Sequence, residues 1–244
     1  MRPPSSLSLR RITEARITLG HRGRAQTTDE TLTFAYDHAR ARNAVLSALD
    51  EPRIVRALDA HGLTHCVVTS EAGTRDTYIR RPDLGRRLAP DAPLPEREPC
   101  DVALVLGDGL SAVAAGLNGP AYLAALVMRL ERLGLTHSPI VLARQARVAL
   151  GDQIALRLGA PTVVMALGER PGLSAADSLG VYVTHTPTTE TQDSGRNCIS
   201  NIREAGLPVV EAANQTMRLI KGMRASGISG VALAQAIASG KLPR

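Results

Sequence analysis

The sequence predicts an α/β fold, a Rossmann-like and mainly parallel sheet with flanking helices, preceded by a helix-rich amino-terminal segment. Three observations predict it. Between residues 137 and 202, apolar runs at 139–143, 161–167 and 180–184 are separated by turns and by one helical pattern at 149–158. These runs lack polar alternation, the mark of strands buried on both faces of a parallel sheet. Finally, residues 89–99 hold Pro90, Pro93, Pro95 and Pro99, a linker signal that separates residues 1–88 from an α/β part at 100–244.

Taken in order, residues 1–11 are polar, and residues 14–19 read as a short strand closed by Gly20 and Gly23. Thr27 and Glu30 have capping-box spacing and open a helix to about Asp50, with a second helical piece from Glu51 to a stop at Gly62. Residues 64–69 and 77–79 read as strands, and Pro82 suits the first turn of a helix. Residues 101–106 form a buried strand whose turn leads into a helix through Leu133, with Leu123, Leu126, Val127, Leu130 and Leu133 on one stripe. Leu150, Ile154 and Leu158 are the buried side of the next helix, which ends at Gly159. Pro208 opens a helix bearing Val209, Ala213, Met217 and Ile220, and residues 229–239 are compatible with one more.

Ligands of open α/β sheets bind outside the carboxyl ends of the strands. That rule places residues 144–148, the turn at 168–172 and the loop toward Cys198 on one functional rim. The formal charge of +6 is nearly all arginine, since Lys221 and Lys241 are the two lysines. There is no block of like charges and only one Phe, four Tyr and no Trp, which argues against nucleic-acid binding through basic tails or stacking platforms. Cys66, Cys100 and Cys198 are odd in number and form no CxxC pair, so neither a disulfide framework nor a zinc site follows. No signal-peptide or transmembrane run is present, and a reducing, soluble compartment is expected.

Several constellations carry chemistry. Gly107, Gly109 and Ala112 match G-x-G-x-x-A between a strand and a helix, the dinucleotide context. Asp108 inside that turn would oppose a pyrophosphate, while Arg144 at the next strand end suits a 2′-phosphate. An NADP-dependent oxidoreductase is therefore the alternative reading, weighed against a plain packing turn. Gly168-Glu-Arg-Pro-Gly-Leu-Ser174 is a tight strand-end turn in which Glu169 can accept hydrogen bonds from amides or hydroxyls. Cys198 lies beside Arg196, a cation able to lower a thiol pKa, against the plainer reading of a small packed hydrophobe. No G-x-S-x-G elbow, P-loop or HExxH occurs. Asp59, His61 and Thr64 only approach the D-x-H-x-x-G pattern of cobalamin proteins that place a histidine under cobalt, with Thr64 where glycine belongs.

Six stretches occur in order at compatible spacing: Asp37-His-Ala-Arg-Ala-Arg42, Arg81-Pro-Asp-Leu-Gly-Arg-Arg87, Asp108-Gly-Leu-Ser111, Gly151-Asp-Gln-Ile154, Gly168-Glu-Arg-Pro-Gly-Leu-Ser174 and Asn197-Cys-Ile-Ser-Asn-Ile202. Together they resemble the small (light) subunit of ethanolamine ammonia-lyase, over about residues 15–231. The resemblance implies an adenosylcobalamin-dependent lyase of large and small subunits that converts ethanolamine to acetaldehyde and ammonia. It implies a base-on cofactor between the subunits, touched from this chain by Val148, Glu169 and Cys198. It further implies a large-subunit partner contacted by residues 1–88. Its location would be the cytoplasm or a bacterial microcompartment. The sequence offers no acid/base set for an amino alcohol, so those groups are expected on the large subunit. Neither nucleic acid nor membrane is an expected partner.

Overall fold

The computed structural model describes residues 26–240, so the expected strand at residues 14–19 lies outside it. Helices α1 (Thr28–Leu46) and α2 (Glu51–Asp59) come first, then strand β1 (His65–Thr69) and helix α3 (Arg75–Arg80). Strand β2 (Val102–Gly107), helix α4 (Ala112–Arg132), strand β3 (His137–Arg144), helix α5 (Val148–Leu158) and strand β4 (Thr162–Gly168) follow. The chain closes with β5 (Leu179–His185), β6 (Asn197–Ile202), α6 (Val209–Ser226) and α7 (Gly230–Ala238).

The capping box forms as its spacing predicts: Glu30 N–H donates to Thr27 Oγ1 at 3.2 Å, and Thr27 N–H donates to Glu30 Oε2 at 3.1 Å. The helix ends at Leu46, earlier than Asp50, because Asp50 instead caps α2 through the Arg53 amide. Residues 77–79 are not a strand. They lie in α3, whose Thr74 hydroxyl accepts from the Thr77 amide, and Tyr78 turns fully inward with its hydroxyl donating to Ala146 O. Leu133 falls just past α4 and is exposed, so it leaves the predicted stripe.

The sheet is mixed and mostly parallel, in the order β1-β3-β2-β4-β5-β6. Strand β1 pairs with β3, so the sheet draws its first strand from before the proline-rich stretch. Ala92 and Leu94 of that stretch pack against the core. The first four strands are parallel, whereas β5 runs antiparallel to β4 and β6 antiparallel to β5. A fully parallel continuation would need a crossover of a dozen residues or more. Only the turn between Gly168 and Leu179 is available, and it reverses the chain beside β4.

Alternate residues of the strands feed two cores. Leu104, Leu106, Ile140, Val164, Val181 and Val183 pack beneath α4 and α6. Val105, Val141, Met165 and Leu167 face α5 through Leu150, Ile154 and Leu158. Among the described residues α4 is the one helix long and apolar enough to cross a membrane, and its buried stripe against the sheet accounts for that apolarity.

Candidate functional site

The two faces of the sheet are covered unequally. Helices α4 and α6 pack over the strands out to β5 and β6, because Leu179, Val181, Val183, Ile199 and Ile202 all point to their side. On the opposite face α5 packs against β3, β2 and β4, with Val68 of β1 in the same cluster and Tyr182 of β5 only partly buried at its edge. On that face Cys198 is exposed and Tyr182 half-buried, while Gly180 is buried beneath Glu169. Register places Tyr182 opposite both Met165 and Cys198.

This open face ends in a cavity of about 370 Å³ against the start of α5, with Arg86, Arg147 and Val148 on one side and Tyr182, Arg196 and Cys198 on the other. Burial pushes the Tyr182 hydroxyl well above its usual range, and the neighbouring Cys198 and Glu169 charges add to this. The Cys198 thiol is also raised, chiefly by burial and further by Glu169, with only the Tyr182 hydroxyl opposing. A nucleophilic thiolate promoted by Arg196 is therefore not what the residues build.

Arg196 is engaged elsewhere. Its guanidinium is 4% exposed and binds Asp152 of α5, with a second bond to Asp193 at 2.7 Å and a third to Thr191 O at 2.9 Å. Burial raises the Asp152 carboxyl above its ordinary range, and Arg196 is the main opposing influence. The pair ties the helix carrying Val148 to the strand carrying Cys198. Sequence reasoning missed it, although an aspartate on a helix bearing Leu150, Ile154 and Leu158 requires a buried partner.

Glu169 sits at the end of β4 and folds back over the sheet. Its Oε2 accepts from Ser178 Oγ at 2.9 Å. The carboxylate occupies the space above Gly180, where a Cβ would stand 2.5 Å from Glu169 Oε1 and 2.9 Å from Cγ. Glycine at 180 thus seats the carboxylate beside Tyr182 and Cys198.

Val148 and Cys198 consequently line one cavity, and Glu169 lies outside its lining, near Tyr182 and Cys198. The geometry differs from the predicted rim in one respect. Val148 and Glu169 are at the carboxyl ends of β3 and β4, but Cys198 is on the sheet face, because β6 enters from the opposite end. Tyr182 was not singled out from the sequence. Its even spacing with Gly180, between the buried odd positions Leu179, Val181 and Val183, is the signal that could have found it.

The dinucleotide turn is closed to ligand. Asp108 is buried and accepts from Gln145 N–H and Ala146 N–H, each at 2.9 Å, and from Arg75 Nη1 at 3.2 Å. Gly109 packs on the Gly168 carbonyl, which accepts from Leu110 N–H at 2.9 Å, so the crevice between β2 and β4 is filled by the chain itself. Arg144 forks onto Glu51, with Nη2 to Oε2 at 2.6 Å. Neither group is left for an NADP phosphate. Among the described residues no cluster of His, Cys, Asp or Glu is arranged to hold a metal.

A family model described as ethanolamine ammonia-lyase light chain matches residues 5–234. The ethanolamine ammonia-lyase small subunit of Bradyrhizobium diazoefficiens is 46% identical over 237 residues, 93% of this chain and 89% of that protein. The same subunit from Rhodopseudomonas palustris is 43% identical, covering 92% of this chain and 88% of the relative. That of Rhodococcus erythropolis is 43% identical, covering 96% and 93%. A match spanning the whole sheet and every element around the open face establishes that the chain belongs to the ethanolamine ammonia-lyase light-chain family.

Proposed function

We propose that this chain is the small subunit of an adenosylcobalamin-dependent ethanolamine ammonia-lyase and presents one wall of the cofactor site to the large subunit. The observation that carries the reading is that Val148 and Cys198 line one cavity with Tyr182, while the Glu169 carboxylate lies close enough to Tyr182 and Cys198 to influence both. Sheet order supports the finer description of the fold as Rossmann-like. The chain leaves β2 toward β3 by α4, then crosses back to β4 by α5, placing the two helices on opposite faces.

The residues present fit a corrinoid. A broad ring fringed with amides needs an apolar surface plus acceptors at its edge. Val148 and the Tyr182 ring provide the first, and Glu169 provides the second. The Cys198 thiol, its pKa raised by its surroundings, is a contact group without a redox role. The patch is open on one side, which suits a ligand sealed by a second polypeptide. When bound, adenosylcobalamin supplies the radical chemistry of the reaction, and the protein's part is binding, orientation and exclusion of water. This chain does the first two, and the acid/base groups for the amino alcohol come from the large subunit.

A base-on cofactor is part of the reading. His61 precedes β1, whereas Val148 and Glu169 follow the carboxyl ends of β3 and β4, so this histidine is at the opposite rim from them. Helix α1 buries only Ala44 and exposes Leu32, Tyr36 and Leu46, which supports partner contact by the amino-terminal segment. We place the assembled enzyme in the cytoplasm; fluorescent tagging in cells that form microcompartments decides whether it resides in one.

Co-expression with the large subunit and gel filtration in adenosylcobalamin tests the proposal. A corrinoid spectrum should co-elute with both chains. Equal cobalamin retention by the large subunit alone would sink it.

A further inference from the structure

Helices α4 and α6 leave a groove between them on the face turned away from the cavity at α5. Both follow strands that point the same way, β2 and β6, and both pack on the same side of the sheet, so they run side by side. Between the last turn of α4 and the body of α6 lies a cavity of about 410 Å³. Buried Met217 forms its floor and Leu133, 47% exposed, its lip. Four cations stand around them, Arg129 and Arg132 from α4, and Arg218 and Lys221 from α6. Each pair is spaced i,i+3, so each helix turns two positive side chains toward the groove.

One of these charges is compensated, because Arg218 donates to Glu211 at 2.9 Å. Arg129 reaches across to α6 and is held by neutral oxygens, Asn214 Oδ1 at 2.8 Å and Ala125 O of its own helix at 2.6 Å. Among the described residues Arg129, Arg132 and Lys221 have no carboxylate in ion-pair range. The negative end of α4 accounts for cations in its own last turn. It accounts neither for Lys221 on another helix nor for an apolar floor between the charges.

A groove between two side-by-side helices takes the ridge of a third. Apolar side chains on one face of that third helix would anchor on Met217 and Leu133. Uncompensated cations on both walls call for carboxylates along its flanks. A nucleic-acid backbone would match the cations and leave the apolar floor without a counterpart. We infer that the α4–α6 groove docks an acidic amphipathic helix of a partner protein outside the two-subunit enzyme. The inference goes beyond the cofactor reading and does not rest on it, since it concerns the opposite face of the sheet.

The test uses the assembled two-subunit enzyme and a fluorescein-labelled peptide of about five helical turns. The peptide carries Leu along one face and Glu on both flanks, and a twin has Gln in place of Glu. Anisotropy should show saturable binding of the acidic peptide that weakens with salt, and at least about tenfold weaker binding of the twin. Arg132→Glu and Lys221→Glu, both at exposed positions, should each weaken the acidic peptide about five- to tenfold and the twin less than about twofold. Arg157→Glu, the same charge change on α5, should weaken the acidic peptide less than about twofold. Carbodiimide coupling locates the peptide: Lys221 and Lys241 are the two lysines of this chain, and the cross-link should fall on Lys221. Equal losses from Arg157→Glu and Lys221→Glu, equal labelling of the two lysines, or duplex DNA that displaces the peptide at matching concentration would reduce the groove to general cationic attraction and overturn the inference. Absence of binding overturns it too, and so does self-association of the enzyme that Lys221→Glu abolishes, which assigns the groove to a second copy. Cobalamin retention should be unchanged in all three variants, so failure here leaves the cofactor reading standing.

Discussion

The turns after β2 and β4 look alike in sequence, each a glycine-bounded strand exit carrying one carboxylate, yet they do opposite things. Asp108 points inward and is surrounded by two backbone amides and Arg75. Glu169 lies against β5, its side chain accepting a hydrogen bond from the Ser178 hydroxyl. The first carboxylate holds the β3–α5 turn together, including Gln145 at φ 54°, a left-handed conformation that a non-glycine residue adopts only when its surroundings impose it. The second is available to a ligand. What separates them is surroundings: Asp108 is enclosed by the turn between β3 and α5, whereas Glu169 lies past the end of β4 against Gly180 of β5. A helix follows the strand that ends at Asp108, and none follows the strand that ends at Glu169.

The largest test of that contrast is stability. Asp108→Ala leaves Arg75 and two amides without their acceptor, and should cost about 3–5 kcal/mol in urea unfolding of the isolated chain. Glu169→Ala should cost at most about 1 kcal/mol in the same experiment. The contrast reverses for the ligand. Glu169→Ala should weaken cobalamin binding in the assembled enzyme by about 1.5–3 kcal/mol, read by equilibrium dialysis. If the two substitutions prove equally destabilising, the division between a structural and a functional carboxylate fails.

A finer test moves Glu169 without removing it. Gly180→Ala places a methyl group where the carboxylate now rests, 2.5 Å from Oε1. The far end of a glutamate can swing away, so unfolding should change by less than about 1 kcal/mol. Cobalamin affinity should nevertheless fall several-fold, because the acceptor has lost its seat. Unchanged affinity would mean that the position of this carboxylate on the sheet is irrelevant to the ligand.

Much of this arrangement was legible in the sequence, and what was not has physical causes. Buried strands announced themselves through Val, Ile and Leu runs, and the helix starts through Thr27 and Pro208. The direction of β5 was not legible, because a strand buried on one face beside β4 reads the same whichever way it runs. That reversal moves Cys198 from the rim to the face. The short run at residues 77–79 misled for a related reason: Tyr78 is buried by two arginines stacked on its ring, at 4.8 and 4.4 Å, a tertiary contact that no local periodicity encodes. The Arg196–Asp152 pair joins residues 44 positions apart, and only the fold brings them together.

The smallest expected effect lies at the opposite end of β5, where the sheet is closed again. His185 Nδ1 is 2.9 Å from Thr162 Oγ1, and burial, with Arg224 nearby, holds the imidazole pKa below its ordinary 6.5. The unfolded chain therefore takes up a proton at higher pH than the folded one. Stability should be fully present above about pH 6.5 and decline as the pH falls from there through the folded value. His185→Gln keeps a hydrogen-bonding group without the titration and should flatten that decline, measured as unfolding free energy between neutral and mildly acidic pH. Cobalamin binding should be indifferent to the substitution, because His185 and the seat of Glu169 at Gly180 lie at opposite ends of the same strand. A change in ligand affinity with His185→Gln would show that the closed and open ends of β5 are coupled, and would blur the contrast that the surroundings of Asp108 and Glu169 otherwise make sharp.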